Sequence, residues 1–216
     1  MKKHIVFILG MFVFIILYSN SLFAQKGEML GVGVNRLNNA DFEDAQVLPW
    51  KLEVREDLGA TAVMELTKDT AAKGKRSVKV QVTKPTGTDW HVKLRQDDRC
   101  FEKGGKYTVV FWCKGEKPRN VSVSFQLQHD PWTGFFSQKF AVDTEWKEYS
   151  LTFTPTVENF QDHWLAFQVA DSDIVIWFDN MRYFLGEPKD EAGYIPKQVF
   201  EPNSQLTTKW GEIKTR

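Results

Sequence analysis

The amino-acid sequence predicts an all-β protein, built as a β-sandwich or a β-barrel. Short segments in which every second residue is apolar recur between residues 50 and 185, and this alternation indicates strands with one buried face. No segment carries a convincing apolar stripe at the helical period of about 3.6 residues. About nine or ten short strands at regular spacing, separated by turn residues, are typical of sandwiches and barrels.

The first four predicted strands occupy residues 50–54, 62–66, 78–82 and 90–96. A turn at residues 73–77 leads into the third strand, in which Val78, Val80 and Val82 share the inward face. In the fourth strand, one side carries Trp90, Val92 and Leu94, and the other side carries His91, Lys93 and Arg95. Each of these two strands therefore has one apolar side and one largely polar side.

The next two strands, at residues 107–113 and 121–128, show the clearest alternation. Their core faces carry Tyr107, Val109, Phe111 and Cys113 on the first strand and Val121, Val123, Phe125 and Leu127 on the second. Their opposite faces carry Thr108, Val110, Trp112 and Lys114 on the first strand and Ser122, Ser124, Gln126 and Gln128 on the second. An indole and two carboxamides on the solvent side suit a sugar-binding surface, because rings stack on sugar C–H faces and amides bind hydroxyls. The alternative interpretation is an ordinary polar outer face.

A loop rich in aromatic residues follows at residues 129–136, where Trp132, Phe135 and Phe136 stand close together. Loops rarely expose aromatic rings unless the rings cover the core or touch a ligand. Three more strands are predicted at residues 146–153, at 164–169 and within 174–185. In the strand at 164–169, Leu165, Phe167 and Val169 point inward, and Trp164, Ala166 and Gln168 point outward.

Residues 1–24 have the organisation of a secretory signal peptide. Lys2 and Lys3 precede an apolar run from Ile5 to Leu17, which gives way to small and polar residues up to Ala24. The apolar run is shorter than the roughly 20 residues that span a bilayer, so the sequence favours cleavage over an uncleaved anchor. We expect a secreted protein, periplasmic or extracellular, without membrane insertion after cleavage. The predicted parts are a lead at 25–34, a folded domain at 35–187 and a C-terminal tail or linker at 188–216.

The charge balance narrows the class of partner. The chain has 28 basic and 28 acidic residues, and removal of the signal peptide leaves 26 and 28, a net charge of −2. Such a balance argues against nucleic acid or an anionic membrane surface as the partner. The chain also holds 17 Phe, 8 Trp and 5 Tyr, which is more than one β core requires, and the surplus indicates binding.

The two cysteines, Cys100 and Cys113, leave two interpretations open. They would be able to pair in an exported protein. Cys113 is in phase with the core residues of its strand, so a buried free thiol is the main alternative. Two Cys and four scattered His make no zinc pattern.

Three motifs together resemble the family 4/9 type of carbohydrate-binding module, a galactose-binding-like jelly roll. They are Asn39-Ala-Asp-Phe-Glu43 followed by Trp50, the segment from Gly104 to Lys114, and the strand from Trp146 to Phe153 with the closing segment Phe178-Asp-Asn-Met-Arg-Tyr183. The resemblance covers residues 35–187. It implies a two-sheet antiparallel jelly-roll β-sandwich.

The resemblance also implies a structural calcium ion, held by Glu43 and Asp179. Calcium takes about six to eight oxygen ligands, and backbone carbonyls of the turn at residues 73–77 would supply some of them. The sequence agrees in part, because Asp179 lies in a strand otherwise rich in apolar residues and a buried carboxylate needs a partner. The alternative is that Asp179 pairs with Lys or Arg, or caps a turn.

The resemblance further implies a glycan-binding groove on the concave sheet. We predict that outward side chains of adjacent strands line this groove and that two indoles near loop ends wall it. The face residues are Lys93, Arg95, Trp112, Gln126, Gln128, Trp164 and Gln168, and the wall residues are Trp90 and Trp132. The alternative is that Trp112 and Trp164 lie beneath loops as a secondary core. Trp146 and Trp177 are interpreted as structural.

The predicted function is a secreted, non-catalytic protein that binds a polysaccharide or oligosaccharide. Nucleophile elbows, P-loops and dinucleotide fingerprints are absent from the sequence. Asp130 and Asp162 are candidates for the two carboxyl groups of a glycosidase, but neither lies in a motif. Two alternatives stay open: an extracellular adhesion module that binds a protein partner through the tail, and a small polysaccharide-degrading enzyme.

Overall fold

A computed structural model describes residues 32–157 and 159–187 of the chain. The predicted signal peptide, most of the predicted lead and the predicted C-terminal tail lie outside these residues. The strands of the described residues are β1 (Lys51–Val54), β2 (Thr61–Thr67), β3 (Ser77–Lys84), β4 (Val92–Phe101), β5 (Tyr107–Gly115), β6 (Arg119–Leu127), β7 (Gly134–Val142), β8 (Lys147–Phe153), β9 (Asn159–Gln168) and β10 (Ile176–Leu185). Two single-turn 3-10 helices occupy Glu56–Leu58 and Asp89–His91.

The strands form two five-stranded sheets in which every neighbouring pair is antiparallel. Sheet I has the order β1-β4-β9-β6-β7, and sheet II has the order β2-β3-β10-β5-β8. The predicted two-sheet antiparallel β-sandwich is therefore confirmed. Among the described residues, no helix has the length and apolar character that a membrane crossing requires.

The core lies between the two sheets and is dominated by aromatic rings. The ring of Phe111 on β5 is 5.0 Å from that of Phe167 on β9, and Phe167 is 5.2 Å from Phe178 on β10. All three side chains are fully buried. Since β9 belongs to sheet I and β5 and β10 to sheet II, these contacts hold the layers together. The alternation read from the sequence therefore identifies the inward face of these strands correctly.

Strands β5 and β6 lie in different sheets, which corrects the predicted common face for their outward residues. Residues 116–118 carry the chain from sheet II to sheet I. The outward side chains of β5, Trp112 among them, therefore lie on the opposite side of the sandwich from those of β6. A period of two identifies the buried side of a strand, but it does not identify the sheet to which the strand belongs.

Strand β7 was not predicted as a strand. It is an edge strand of sheet I that pairs with β6 alone. Its inward positions include Phe136 and Phe140, but exposed Gln138 stands between them and interrupts the apolar alternation. An edge strand with one covered side tolerates such an interruption more readily than a central strand.

Neither cysteine forms a disulfide and both are buried, which decides between pairing and a buried thiol. Cys100 lies on β4 in sheet I and Cys113 on β5 in sheet II. Burial raises the pKa of the Cys113 thiol well above its ordinary value. Cys113 therefore behaves as a small apolar core residue.

Candidate functional site

A cavity of about 670 Å³ lies on the outer face of sheet I. Small and polar side chains of β6, β7 and β9 leave room at its centre, and larger side chains stand around them. The lining residues are Glu53, Arg55, Trp90, Lys93, Ser124, Phe125, Gln126, Trp132, Gly134, Phe135, Phe136, Ser137, Trp164 and Gln168. We call this cavity the sheet I groove.

Trp90 forms one wall of the sheet I groove. It lies in the 3-10 turn between β3 and β4, and its side chain is 37% exposed. The guanidinium of Arg55 and the ammonium of Lys93 lie 5.5 and 5.6 Å from the ring centroid. These contacts hold the indole at the groove edge while leaving part of it open to solvent.

Trp132 forms another wall and is 49% exposed. Two hydrogen bonds fix the backbone of its loop. The side-chain amide of Gln126 donates to the Trp132 carbonyl at 2.7 Å, and the backbone N–H of Trp132 donates to the carbonyl of His129 at 2.7 Å. The ring of His129 lies 3.0 Å from a carboxylate oxygen of Asp162 on β9. The loop backbone is thus held in place, and the Trp132 indole stays partly exposed to solvent.

Trp164 lies on the predicted outward side of β9, but it is only 3% exposed. The Trp132 ring stacks on it at 5.8 Å with an interplanar angle of 28°. The ammonium of Lys93 and the guanidinium of Arg95 lie 4.6 and 4.4 Å from the centroid of the Trp164 ring. Trp164 therefore forms a covered part of the groove, as the alternative interpretation of this residue expected.

The charged side chains beside the groove form ion pairs with one another. Glu53 on β1 lies 2.9 Å from Lys93 and 2.9 Å from Arg95 through its two carboxylate oxygens. Asp97 pairs with Arg95 and, at 2.6 Å, with Lys51. Burial lowers the pKa of both Lys93 and Arg95, and the Glu53 carboxylate opposes that change. Each of these three cations has a carboxylate partner, so the groove has little attraction for a strongly charged ligand.

The structure brings most of the predicted glycan-binding residues to one face. Six of them line the sheet I groove: Trp90, Lys93, Gln126, Trp132, Trp164 and Gln168. Arg95 lies beside the groove against Trp164. Gln128 lies away from the cavity lining, where its amide donates to Asp98 at 3.0 Å and its carbonyl accepts from the Asp98 N–H at 3.2 Å.

The placement of Trp112 in the groove was wrong. Trp112 is half-buried on the outer side of sheet II, where its indole N–H donates to Glu148 at 3.0 Å. The Lys73 ammonium lies 5.1 Å from its ring. The physical reason is the crossover between β5 and β6, which separates Trp112 from the Gln row by the thickness of the sandwich. Trp112 is therefore a control position for substitutions in the groove.

Sequence reasoning missed several groove residues. Glu53 is one of the two outward residues of the predicted strand at 50–54, so the alternation contained a signal for it. Ser137 and Gly134 belong to β7, which was not predicted as a strand. Arg55 follows β1 in a connection without a regular pattern and gave no signal.

His163 lies on the inward side of β9, directly beneath the groove, and is 1% exposed. Its ring packs 5.1 Å from Phe101 and 4.5 Å from Phe135. Asp162 comes within 3.1 Å of one ring nitrogen, yet neither nitrogen makes a hydrogen bond to the described part of the chain. Burial is the main cause that lowers the pKa of His163 to about 4, so the folded protein holds this ring neutral.

We expect His163 to make stability depend on pH below neutrality. Between about pH 6.5, the usual value for an unfolded His, and about pH 4, the unfolded chain binds a proton that the folded chain does not. The free energy of unfolding is therefore unaffected by His163 above about pH 6.5. As the pH falls toward about 4, it decreases by about 1–3 kcal/mol because the unfolded chain binds the extra proton. Urea unfolding of wild type and His163→Phe at pH 7 and pH 4.5 measures it. Equal losses of stability in the two proteins would contradict this account of His163.

Glu43 and Asp179, the predicted calcium ligands, both bind the loop before β3. Asp179 is fully buried, and one of its oxygens accepts the N–H groups of Ala72 and Lys73 at 2.7 and 2.9 Å. One oxygen of Glu43 accepts the N–H groups of Lys75 and Arg76 at 2.7 and 2.9 Å. Burial is the main cause that raises the pKa of Asp179 to about 6, and the nearby Glu43 carboxylate adds to it. This arrangement includes the turn capping that was the alternative for Asp179.

No group of three or more His, Cys, Asp or Glu side chains in residues 32–157 and 159–187 is placed to hold a metal ion. A site built from Glu43 and Asp179 would need backbone oxygens as its other ligands.

Comparisons with known proteins agree with this architecture. A family profile described as a carbohydrate binding domain matches residues 34–173. A solved structure from a study of CBM4 structure and function is 22% identical, with a TM-score of 0.59, and the alignment covers 69% of this chain and 99% of that one. A family 22 carbohydrate-binding module of Clostridium thermocellum is 18% identical, with a TM-score of 0.51 over 70% of this chain and 94% of that one. The CBM22-1 xylan-binding domain of Paenibacillus barcinonensis is 13% identical, with a TM-score of 0.51 over 76% of this chain and 98% of that one.

These structural likenesses show the fold, which is the jelly-roll sandwich that the sequence predicted. A search of curated proteins finds no significant relative.

Proposed function

Because the chain belongs to the carbohydrate-binding domain family whose profile matches residues 34–173, we propose that its sheet I groove holds a polysaccharide or oligosaccharide chain. Binding occurs without chemistry on the sugar, and a calcium ion at Glu43 and Asp179 stabilises the fold. The protein acts after export, outside the cytoplasm.

The observation that carries the proposal is a pair of exposed indoles on one groove. Trp90 and Trp132 are 37% and 49% exposed and line the same cavity. Large exposed aromatic rings in a concave site are typical of ligand recognition, because the exposed part of an indole does not contribute to the stability of the fold. The carboxamides of Gln126 and Gln168 line the same cavity. Together these side chains offer ring faces to sugar C–H groups and amides to sugar hydroxyls.

The ligand that fits the groove is a neutral glycan. The cations Lys93 and Arg95 are already bound to Glu53, so they are not available to hold a row of carboxylates. The unsubstituted backbones of xylan and β-glucan are neutral, and one of the similar structures is described as a xylan-binding domain. We therefore rank xylan and β-glucan above acidic polysaccharides.

The surroundings of Asp130 and Asp162, the two candidate catalytic acids, favour binding without catalysis. Asp162 lies 3.0 Å from the ring of His129 and 3.1 Å from that of His163, so it has a structural function in holding the Trp132 loop. Asp130 is exposed on that loop. A reducing-end assay with xylan and β-glucan tests this part of the proposal, and released sugar ends would contradict it.

The binding proposal is tested by titrating the protein with xylohexaose, cellohexaose and laminarihexaose while following tryptophan fluorescence and heat. We expect saturable binding of at least one of them, accompanied by a change in fluorescence. Raising the salt concentration from 50 to 500 mM should leave the affinity nearly unchanged, because screening weakens charge attraction and not stacking. Absence of binding to all three at millimolar concentration, or binding that salt abolishes, would contradict the proposal.

The calcium proposal is supported by the convergence of two carboxylates on one loop. Asp179 binds the amides of Ala72 and Lys73, and Glu43 binds those of Lys75 and Arg76. Each carboxylate has about four acceptor positions, so both retain lone pairs for a cation. The burial that raises the pKa of Asp179 to about 6 disfavours its ionised form, and a divalent cation at the pair would compensate for that cost. The residues present therefore fit a calcium ion that links the N-terminal segment to β10.

We expect calcium to raise the melting temperature of chelator-treated protein by about 5 °C or more, as saturating binding to the folded state alone predicts. The variants Asp179→Asn and Glu43→Gln should lose this response. Glu65→Gln, which neutralises an exposed acid on β2, is the matched control and should keep it. Melting curves that calcium leaves unchanged in wild type would contradict the site.

A further inference from the structure

One donor in the sheet I groove has no acceptor among the residues that the structure describes. The indole nitrogen of Trp164 exposes less than 1 Å² and makes no hydrogen bond to any residue that the structure describes. The side chain lines the groove and is 97% buried, since only 3% is exposed. A buried N–H without an acceptor is costly, and native structures rarely keep one without a reason.

The other contacts of Trp164 are to its ring and not to its N–H. Trp132 stacks on it at 5.8 Å, and the cationic groups of Lys93 and Arg95 lie 4.6 and 4.4 Å from its centroid. A sugar that enters the groove therefore meets a ring that already has neighbours. The N–H is the part of this side chain that still needs a partner.

Three other buried or half-buried indoles satisfy their N–H groups within the protein. Trp50 donates to the Asn39 carbonyl at 3.0 Å, Trp112 to Glu148 at 3.0 Å and Trp146 to Thr70 at 2.8 Å. Trp177 resembles Trp164, because its buried nitrogen also has no acceptor among the described residues. Trp177 lies on β10 in sheet II, however, and does not line the groove.

We propose that the Trp164 N–H is a specificity-determining donor, which gives its hydrogen bond to a hydroxyl or ether oxygen of the bound glycan. The inference rests on the proposed function and adds the donor atom, the Trp164 indole nitrogen, that recognises a sugar oxygen. The exposed Trp132 ring, which stacks on Trp164, gives way as the sugar enters and then flanks it. The backbone of the Trp132 loop stays in place, held by Gln126 and His129.

The test is a matched pair of tryptophan-to-phenylalanine variants, measured by calorimetry with the tightest-binding hexasaccharide of the panel. Trp164→Phe keeps an aromatic ring and removes the N–H, and we expect its affinity to fall roughly three- to tenfold, the value of one net hydrogen bond. Trp177→Phe makes the same chemical change to an equally unpaired N–H on sheet II. We expect its affinity to equal that of wild type.

A second readout separates the hydrogen bond from a packing effect of the smaller ring. In wild type, the indole proton resonance of Trp164, identified by its absence from the Trp164→Phe spectrum, should move downfield and exchange more slowly when the hexasaccharide binds. The Trp177 resonance should not move.

Wild-type binding with an unchanged Trp164 resonance, or equal affinities of wild type and Trp164→Phe, would overturn this inference and leave the proposed function intact. Failure of wild type to bind any hexasaccharide would overturn both. If the Trp164→Phe protein does not fold, the indole proton resonance of Trp164 in wild type is assigned by through-bond experiments. Its shift on binding of the hexasaccharide then decides the question.

Discussion

Replacing Trp132 with alanine is expected to weaken glycan binding by about 10- to 30-fold, the loss typical of an aromatic residue on which binding depends strongly. Trp132 is the more exposed of the two groove indoles, at 49%, so about half of its surface is open to a ligand while the ring stacks on Trp164. Its exposure also means that removal costs little folding stability. Calorimetry gives the affinity, and the melting temperature should stay within a few degrees of wild type.

Trp112→Ala is the control for this prediction. It removes another partly exposed indole, but from the outer side of sheet II, so we expect glycan affinity to be unchanged. Trp90→Ala should weaken binding in the same direction as Trp132→Ala, since Trp90 lines the same cavity. If Trp132→Ala binds as tightly as wild type and Trp112→Ala binds more weakly, the ligand lies on sheet II, which would contradict this prediction.

Replacing Arg119 with alanine is expected to lower the free energy of unfolding by about 3–5 kcal/mol. The Arg119 side chain is only 1% exposed. It donates to the carbonyls of Val169, at 2.6 Å, and of Ile174, and it pairs with Asp171 at 3.2 Å. Its loss leaves backbone carbonyls and a carboxylate without their donor in a largely buried region, between the start of β6 and the connection from β9 to β10.

Urea unfolding measures this effect. Lys79→Ala is the control, because Lys79 pairs with Glu65 at 2.8 Å in a more exposed setting; such a pair contributes at most about 1 kcal/mol. The folded fraction of Arg119→Ala should bind glycan as wild type does, since Arg119 lies outside the groove lining. Similar stabilities of Arg119→Ala and Lys79→Ala would contradict the structural function assigned to Arg119.

Much of the fold was predictable because strand alternation reports burial directly. The inward residues Phe111 and Phe167 were assigned from a period of two, and both are fully buried. Strand β7 was missed because Gln138 interrupts that period on an edge strand, where few side chains need to be covered.

The site was predictable only in part, because a binding face depends on which strands are neighbours. Trp112 and Gln126 have the same outward alternation, yet the crossover at residues 116–118 puts them on opposite sides of the sandwich. Glu53 and Ser137 enter the groove from the edge strands β1 and β7, and nothing local in the sequence states that those edges flank β4 and β6. The burial of Trp164 depends on the position of the Trp132 loop, which is a tertiary property.

The central claim is that a glycan chain lies on the outer face of sheet I between Trp90 and Trp132. A crystal structure of the protein with the tightest-binding hexasaccharide tests it most directly. The account predicts sugar rings in the groove, in contact with both indoles and with an oxygen within hydrogen-bond distance of the Trp164 nitrogen. Sugar bound on sheet II beside Trp112, or at the strand edges away from Trp90 and Trp132, would contradict it.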